Sequence, residues 1–332
     1  MRVVVAPDKF KGTASARELT AAIVDALVDA GHDAVAAPMA DGGEGFLDVL
    51  GGANRTDTVT GPLGDLVDAP WRISRGVAVI EMAAASGLML VGGSDENDPV
   101  AASTYGTGEL ISLAVESGAR RVLVGVGGSA TTDGGIGALR ALHPTQRFRG
   151  VDLIVACDVR TRFVDAADVF APQKGATPAQ VKLLHGRLKR LAQVYEEETG
   201  VVVGNIEGSG AAGGLAGGLA SIGAELVSGF ELVADEIGLD ELIEGADLVI
   251  TGEGFLDDES FDGKVLGGVA ELAHELGVRC LAIVGEVVEP LPELPEGLTV
   301  ISLSEMFGAE HSMADPCACA ALAVQSFLSA KN

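Results

Sequence analysis

Positive charge is what this chain has least of. Its 332 residues carry 22 Lys and Arg against 48 Asp and Glu, a net charge of −26. No basic surface is then available to neutralise a phosphate backbone, which excludes nucleic acid as a partner. Acidity of this size favours solubility and says little about fold. Only seven lysines are present, so those beside glycine-rich turns, Lys9, Lys11, Lys174 and Lys264, stand out. Aromatic residues make up 4% of a chain that is 48% hydrophobic, and the core must be built from Ala, Val, Leu and Ile, as in α/β folds. The four cysteines, Cys157, Cys280, Cys317 and Cys319, form no CxxC pair and no metal-like group with His311; free thiols in a reducing compartment are expected. No apolar run is long enough to span a bilayer, and Arg2 leads straight into a strand-like Val3-Val4-Val5 rather than a signal-peptide segment. The expectation is a cytoplasmic protein, neither secreted nor membrane-embedded.

The length allows two domains of ordinary size. Val3–Ala6 reads as a strand, Ser15–Ala30 as a helix with apolar residues at helical spacing, and Asp33–Pro38 as a second strand. The same alternation resumes late. Strands at Leu248–Ile250, Cys280–Val284 and Val300–Leu303 are expected to alternate with helices over Val265–Leu276 and Pro316–Leu328. Five strands joined by helices make a doubly wound parallel sheet of flavodoxin or Rossmann type. Residues 1–45 and 236–332 are therefore expected to form one α/β domain, interrupted by a second, mixed α/β domain over 46–235. The insertion opens with a meander over Thr56–Thr60, Val67–Ile73 and Val77–Glu81. It continues with a helix over Gly106–Ser117, strands Val122–Val126 and Leu153–Cys157, and a helix over Pro178–Glu198. Its glycine-rich stretches read as tight turns at strand ends.

Three groups of residues carry chemistry. In TGEGFLDDESFDGK (251–264), Gly252 and Gly254 are expected to make a tight turn that brings backbone and Glu253 to a ligand. Asp257, Asp258 and Asp262 suit a magnesium ion, and Lys264 suits phosphate oxygens at the head of the next helix; a solvated loop is the plain alternative. The second group is the turn after strand 122–126, where Gly127, Gly128, Ser129, Thr131, Thr132 and Asp133 offer amides and hydroxyls to an anion. Ser209, Gly210, Gly213 and Gly214 likewise open a helix. Neither stretch fits the P-loop or the dinucleotide fingerprint; close packing of small residues is the alternative, against which four successive polar groups weigh. Thirdly, Asp8, Asp41, Glu44 and Asp158 sit at strand ends, which in a doubly wound sheet face one crevice. Any one alone is more often a helix cap, and Asp41 with Glu44 resembles a capping box. A carboxylate to accept a hydroxyl proton, others to hold Mg²⁺ and lysines to face phosphate are the minimum equipment for kinase chemistry.

The segments APDKFKG (6–12), ADGGEG (40–45), VTGPLG (59–64), EMAAASGL (81–88), TYGTGEL (104–110), GGSATTDGG (127–135), ACDV (156–159), FAPQKGA (170–176), GSGAAGGL (208–215) and TGEG…GK (251–264) appear in the order seen in bacterial glycerate kinases. Over nearly its whole length the chain resembles that family, the glycerate 2-kinase-like enzymes of glucarate and glyoxylate metabolism. The resemblance implies ATP-dependent phosphorylation of D-glycerate with Mg²⁺ in a cleft between two α/β domains, with 2-phosphoglycerate the favoured product. Carried over residue by residue, it implies substrate contacts from Asp8, Lys11, Asp41, Glu44, Ser129 and Arg162. Asp158 is expected as the general base, with Asp133 the second candidate, and Lys174 and Lys264 as stabilisers of the transferring phosphoryl group. Gly127, Gly128, Ser209, Gly210, Gly213, Gly214, Gly252, Glu253 and Gly254 would contact ATP, and Asp257 and Asp258 the metal.

Departures bear on the acceptor. Lys9 stands where many members have Ser, Thr132 where Asn is usual, Glu259 where Gln is usual, and Thr161-Arg162-Phe163 where Asn-Pro-Leu is common; the connection from Leu142 to Val151 is short. Glu259 adds negative charge where an anionic substrate is expected, and Arg162 either offsets it or signals a different acceptor. A kinase for another small hydroxy acid or polyol is thus a second reading, and a nucleotide-binding protein without catalysis a third. The oligomeric state is left open.

Overall fold

The structure is a computed structural model that describes residues 1–261, 263–288 and 294–329. Asp262 lies outside the described residues. In chain order the strands are β1 (Arg2–Val5), β2 (Asp33–Ala36), β3 (Arg55–Thr60), β4 (Leu66–Ser74), β5 (Val77–Glu81) and β6 (Arg121–Gly125). They continue with β7 (Asp152–Ala156), β8 (Glu225–Val227), β9 (Leu248–Leu256), β10 (Arg279–Val287) and β11 (Leu298–Ser302). The chain divides into two compact units, Met1–Asp41 with Asp48–Leu50 and Phe230–Asn332, and Gly42–Leu47 with Gly51–Gly229.

The first unit holds a five-stranded sheet in the order β11-β10-β9-β1-β2, parallel throughout. Val3, Val4 and Val5 are wholly buried, as are Ile250 and Leu281. A parallel sheet covered on both faces requires such continuous apolar runs. One core joins Val3, Val5, Ile250 and Ile283 to Leu19, Ile23 and Leu27 of the helix Ala16–Asp29 and to Ala320 and Val324 of the helix Pro316–Ser329. Each such large side chain contributes roughly 1.5–3 kcal/mol by leaving water. The first of these helices starts at a capping box: Ser15 Oγ accepts the Glu18 amide at 3.2 Å, and the Glu18 carboxylate accepts the Ser15 amide at 2.9 Å. Counted within this unit, the strand order is 2-1-3-4-5, the flavodoxin-like doubly wound order expected of the fold. Its winding reverses between β1 and β9.

One expectation here is corrected. Gly252 and Gly254 do not form a turn, because β9 runs unbroken to Leu256, paired with β10 along its length. The glycines serve approach between strands instead: a Cβ on Gly252 would lie 2.2 Å from the Ile283 carbonyl oxygen.

The second unit holds a six-stranded sheet, β3-β4-β5-β6-β7-β8. The meander β3–β4–β5 is antiparallel and β5 to β8 are parallel. Trp71, the one tryptophan, is buried on β4 and donates to Asp57 Oδ2 at 2.7 Å, packing in a core with Ile80, Leu110, Val124, Val155 and Leu215. The helix Pro178–Thr199 begins with a Thr177–Gln180 capping box, ends at Gly200 with φ 77°, and places Leu184, Leu188 and Tyr195 against Phe163. Short β8 carries no sequence signal beyond one apolar pair. The units divide a few residues before the expected limits, for local reasons. Gly42 is pressed onto Ala156, where a Cβ would sit at 2.9 Å, and the Phe230 ring lies against Gly268. Among the described residues no helix is long and apolar enough to cross a membrane.

Candidate active site

In a doubly wound sheet ligands gather outside the carboxyl ends of the strands where the winding reverses, and in the first unit that place is polar. The chain leaves β1 through Pro7 and Asp8, whose amide donates to the Gly252 carbonyl of β9 at 2.8 Å. Asp8 Oδ1 accepts the Lys9 amide at 2.7 Å, and the Lys9 ammonium bridges Asp8 and Asp41 at 3.5 and 3.4 Å. Burial pushes the Asp8 carboxyl up to about 6, opposed by Lys9 and reinforced by Asp41. For Lys9, burial works against the charge, but Asp8 and Asp41 outweigh it and raise its proton affinity. Glu253, next along β9, is also buried, and burial drives its carboxyl to about 7 despite the nearby Ser260 hydroxyl and the charge of Lys264.

Beyond β9 a 3₁₀ turn spans Asp258–Phe261. Asp257 caps it, its Oδ1 accepting the Glu259 amide at 2.9 Å and Ser260 Oγ at 3.3 Å. Lys264 sits at the N-cap of the helix Val265–Glu275, with its ammonium 3.3 Å from Glu259 and 3.9 Å from Asp257. Half-exposed pairs of this kind are worth about 0–1 kcal/mol, so the ammonium remains available to an anion. Lys11 is exposed and its backbone runs beside Gly254; with Phe10, Phe255, Gly285 and Met313 they line a small concavity of about 50 Å³.

The sequence places magnesium at Asp257 and Asp258. Among the described residues no three His, Cys, Asp or Glu side chains are grouped to hold a metal, Asp257 is committed to its turn, and the side chain of Asp258 lies outside the described residues.

In the second unit the loop after β6 is organised by Asp133. Its carboxylate accepts the Thr104 amide at 2.9 Å, the Thr104 hydroxyl, and the amides of Gly135 and Gly137 at 3.0 and 3.2 Å. So many donors leave it no lone pair for a substrate proton, and it acts as the pin of the loop. Asp133→Asn turns an amino group toward these donors and is expected to cost about 2–3 kcal/mol in urea unfolding; a base with no such duty would lose turnover at unchanged stability.

Lys174 is 3% exposed and lies under this loop. Its ammonium donates to the Thr131 carbonyl at 2.6 Å and reaches Ser129 Oγ at 3.4 Å, with no carboxylate in hydrogen-bond range among the described residues. Burial lowers it from the ordinary 10.5 to about 7, with Asp133 holding it up. Asn97, absent from the sequence-based candidates, ties the assembly together by donating to the carbonyls of Ala130 and Lys174 at 3.0 and 2.9 Å. Gly127 and Gly128 lie at the more open start of the loop.

The stretch 208–214 is packed rather than open. Ser209 is fully buried and its hydroxyl donates to the Ile206 carbonyl at 2.6 Å. A Cβ on Gly210 would lie 2.5 Å from the Arg162 carbonyl oxygen, and one on Gly213 2.0 Å from that of Thr131. Ala212, Gly213 and Gly214 all have positive φ, kinking the start of the helix Ala211–Ser221. These glycines let two loops touch. Asp158 follows β7 and accepts the Gly229 amide at 2.8 Å; Arg162 and Glu44 are exposed. Burial lifts the Cys157 and Cys280 thiols to about 11 and about 12, which keeps both protonated.

The structure thus gathers Asp8, Asp41, Glu253, Asp257 and Lys264 in one unit, and Ser129, Asp133 and Lys174 in the other. A flavodoxin-order sheet with buried carboxyls of raised proton affinity at its switch point, together with a second α/β unit that buries a lysine under a glycine-rich loop, defines an α/β enzyme of small molecules. The chain belongs to the glycerate kinase family, whose model matches residues 3–145 and 143–320. It is 40% identical to the glycerate 2-kinase of Escherichia coli K12 over 329 residues, covering 87% of this chain and 86% of that one. Identity to the glycerate kinase of Bacillus subtilis 168 is 38%, over 86% and 85%. A crystal structure from Salmonella typhimurium LT2 assigned as glycerate kinase 2 matches with a TM-score of 0.83 at 32% identity, covering 100% of this chain and 99% of that one.

Proposed function

We propose that the chain transfers the γ-phosphoryl group of ATP to the 2-hydroxyl of D-glycerate. The observation that carries this reading is the 40% identity to a glycerate 2-kinase across both units of the fold. Phosphoryl transfer asks a protein mainly for positioning and for positive charge where the equatorial oxygens gather. Lys264 at a helix N-terminus and the amide of exposed Gly128, in the loop that covers Lys174, are the groups proposed to supply it. Mg²⁺ is proposed to arrive on the nucleotide's phosphates, an arrangement that demands few protein ligands.

A second acceptor has one observation in its favour. Glu259 carries the negative charge that departs from the family pattern, and it takes up Lys264 at 3.3 Å. A smaller or less charged polyol would tolerate that better than a carboxylate. ATP consumption measured across a panel of hydroxy acids and polyols separates the readings. Turnover with D-glycerate is expected; turnover with another acceptor and none with D-glycerate would replace the first reading by the second.

A further inference from the structure

We infer that Glu253 is the general base of this transfer, the group that takes the proton from the acceptor hydroxyl; the inference rests on the kinase reading above. Its place is the first reason. Glu253 follows Gly252 on β9, and Gly252 accepts the Asp8 amide from the end of β1 at 2.8 Å, so the carboxyl stands at the reversal of the winding, where ligands of this fold gather. The second reason is an unspent atom. The residue is 8% exposed, yet its Oε1 is buried without a hydrogen-bond partner among the described residues. A buried carboxyl oxygen is costly to leave unpaired, and a hydroxyl is the donor that satisfies it.

Most of the other candidate carboxylates already hold a donor. Asp8 Oδ1 is held by the Lys9 amide and ammonium, and Asp41 shares that ammonium. Asp133 pins its own loop, Asp158 holds the Gly229 amide, and Asp257 caps a 3₁₀ turn. The groups that face Glu253 are Ser260 and Lys264, which favour its ionised form, and Asp8 and Asp257, which oppose it. Burial outweighs them all and brings its proton affinity to about 7, where a base is both free to accept and strong enough to matter. In the step itself Glu253 Oε1 receives the hydroxyl proton as the acceptor oxygen bonds to the γ-phosphorus. The bond from that phosphorus to the bridging oxygen breaks, its electron pair leaves with ADP, and the proton passes from Glu253 to water.

Glu253→Gln keeps shape and volume and removes the basic site. The expected result is a fall in kcat of roughly 100-fold or more, a KM for ATP within a few-fold of wild type, and an unfolding temperature that does not drop, since an amide is easier to bury than a carboxylate. Wild-type kcat should fall off below about 7; Glu253→Asp should keep that acid limb at a reduced rate. Carbon-13 labelling of the glutamate side chains adds a readout independent of turnover, a carboxyl resonance titrating near neutral pH. An active wild type with an equally active Glu253→Gln variant, or with no glutamate titrating above the ordinary range, overturns the assignment and leaves the kinase intact. A wild type that consumes ATP with no acceptor on the panel overturns the kinase reading and the assignment with it.

Discussion

At pH 6, Lys174→Met is expected to be more stable than the wild type, by about 2 kcal/mol, while losing most of its turnover. The folded protein holds this lysine at about 7, against 10.5 for an ordinary lysine. Below pH 7 both folded and unfolded chains bind the proton, and burying the ammonium costs on the order of 4–5 kcal/mol. As pH rises from 7 towards 10.5 the unfolded chain binds more protons than the folded one, so stability climbs and the cost disappears. Methionine never carries it. What methionine gives up is the pairing of the Thr131 carbonyl and the Ser129 hydroxyl, about 1–3 kcal/mol. The cost of the buried charge therefore dominates at pH 6, and at pH 10 only the lost pairing remains. Urea unfolding of both proteins across that range should show their stabilities crossing. Differences between the two cancel the contributions of Asp8 and Glu253, which titrate in both. A wild type and variant that run parallel from pH 6 to pH 10 would mean that the buried lysine keeps its proton as an ordinary lysine does.

Gly213→Ala should be among the most damaging single methyl groups in the second unit. Its Cβ would meet the Thr131 carbonyl oxygen at 2.0 Å, and the residue has φ 66°. The left-handed conformation costs alanine about 1–2 kcal/mol and forced overlap typically about 1–3 more. Backbone on both sides allows no side chain to yield. Since the Gly134 amide donates to the Gly213 carbonyl at 3.0 Å and Thr131 is the carbonyl that holds Lys174, the displacement passes directly to the loop around Asp133. A loss of about 3 kcal/mol or more is expected by urea midpoint, with turnover falling alongside. Gly186 is the internal control. It lies in the helix Pro178–Thr199 with nothing within 4 Å of its Cβ position, and Gly186→Ala should stabilise by about 0.5–1 kcal/mol.

Much of the fold is legible in the sequence because its signals are local. The Ser15–Glu18 capping box, the Val3-Val4-Val5 run and the helical spacing after Pro316 each stand in a short window, and alternating strands and helices separated by a long interruption declare two α/β units. What reads less well depends on contacts distant in sequence. Gly252 resembles the opening of a turn because a strand that needs glycine is visible only once Ile283 lies beside it. Gly213 and Gly214 resemble a phosphate cradle because their partners, Thr131 and Gly134, belong to another loop. Lys9 stands out as a rare lysine, but its role as the cation between Asp8 and Asp41 requires β1 and β2 to be laid side by side. Asn97 gives no signal, since an asparagine in an acidic loop is ordinary until its two carbonyl partners are known.

Phosphorus NMR of the product formed from D-glycerate and ATP decides the reaction itself. A phosphate monoester on C2 couples to a single proton and appears as a doublet, growing in step with ADP; that is the expected spectrum. A triplet would move the phosphoryl group to the C3 methylene. ATP left unchanged beside D-glycerate, while another hydroxy acid or polyol is phosphorylated, would contradict the proposed function outright.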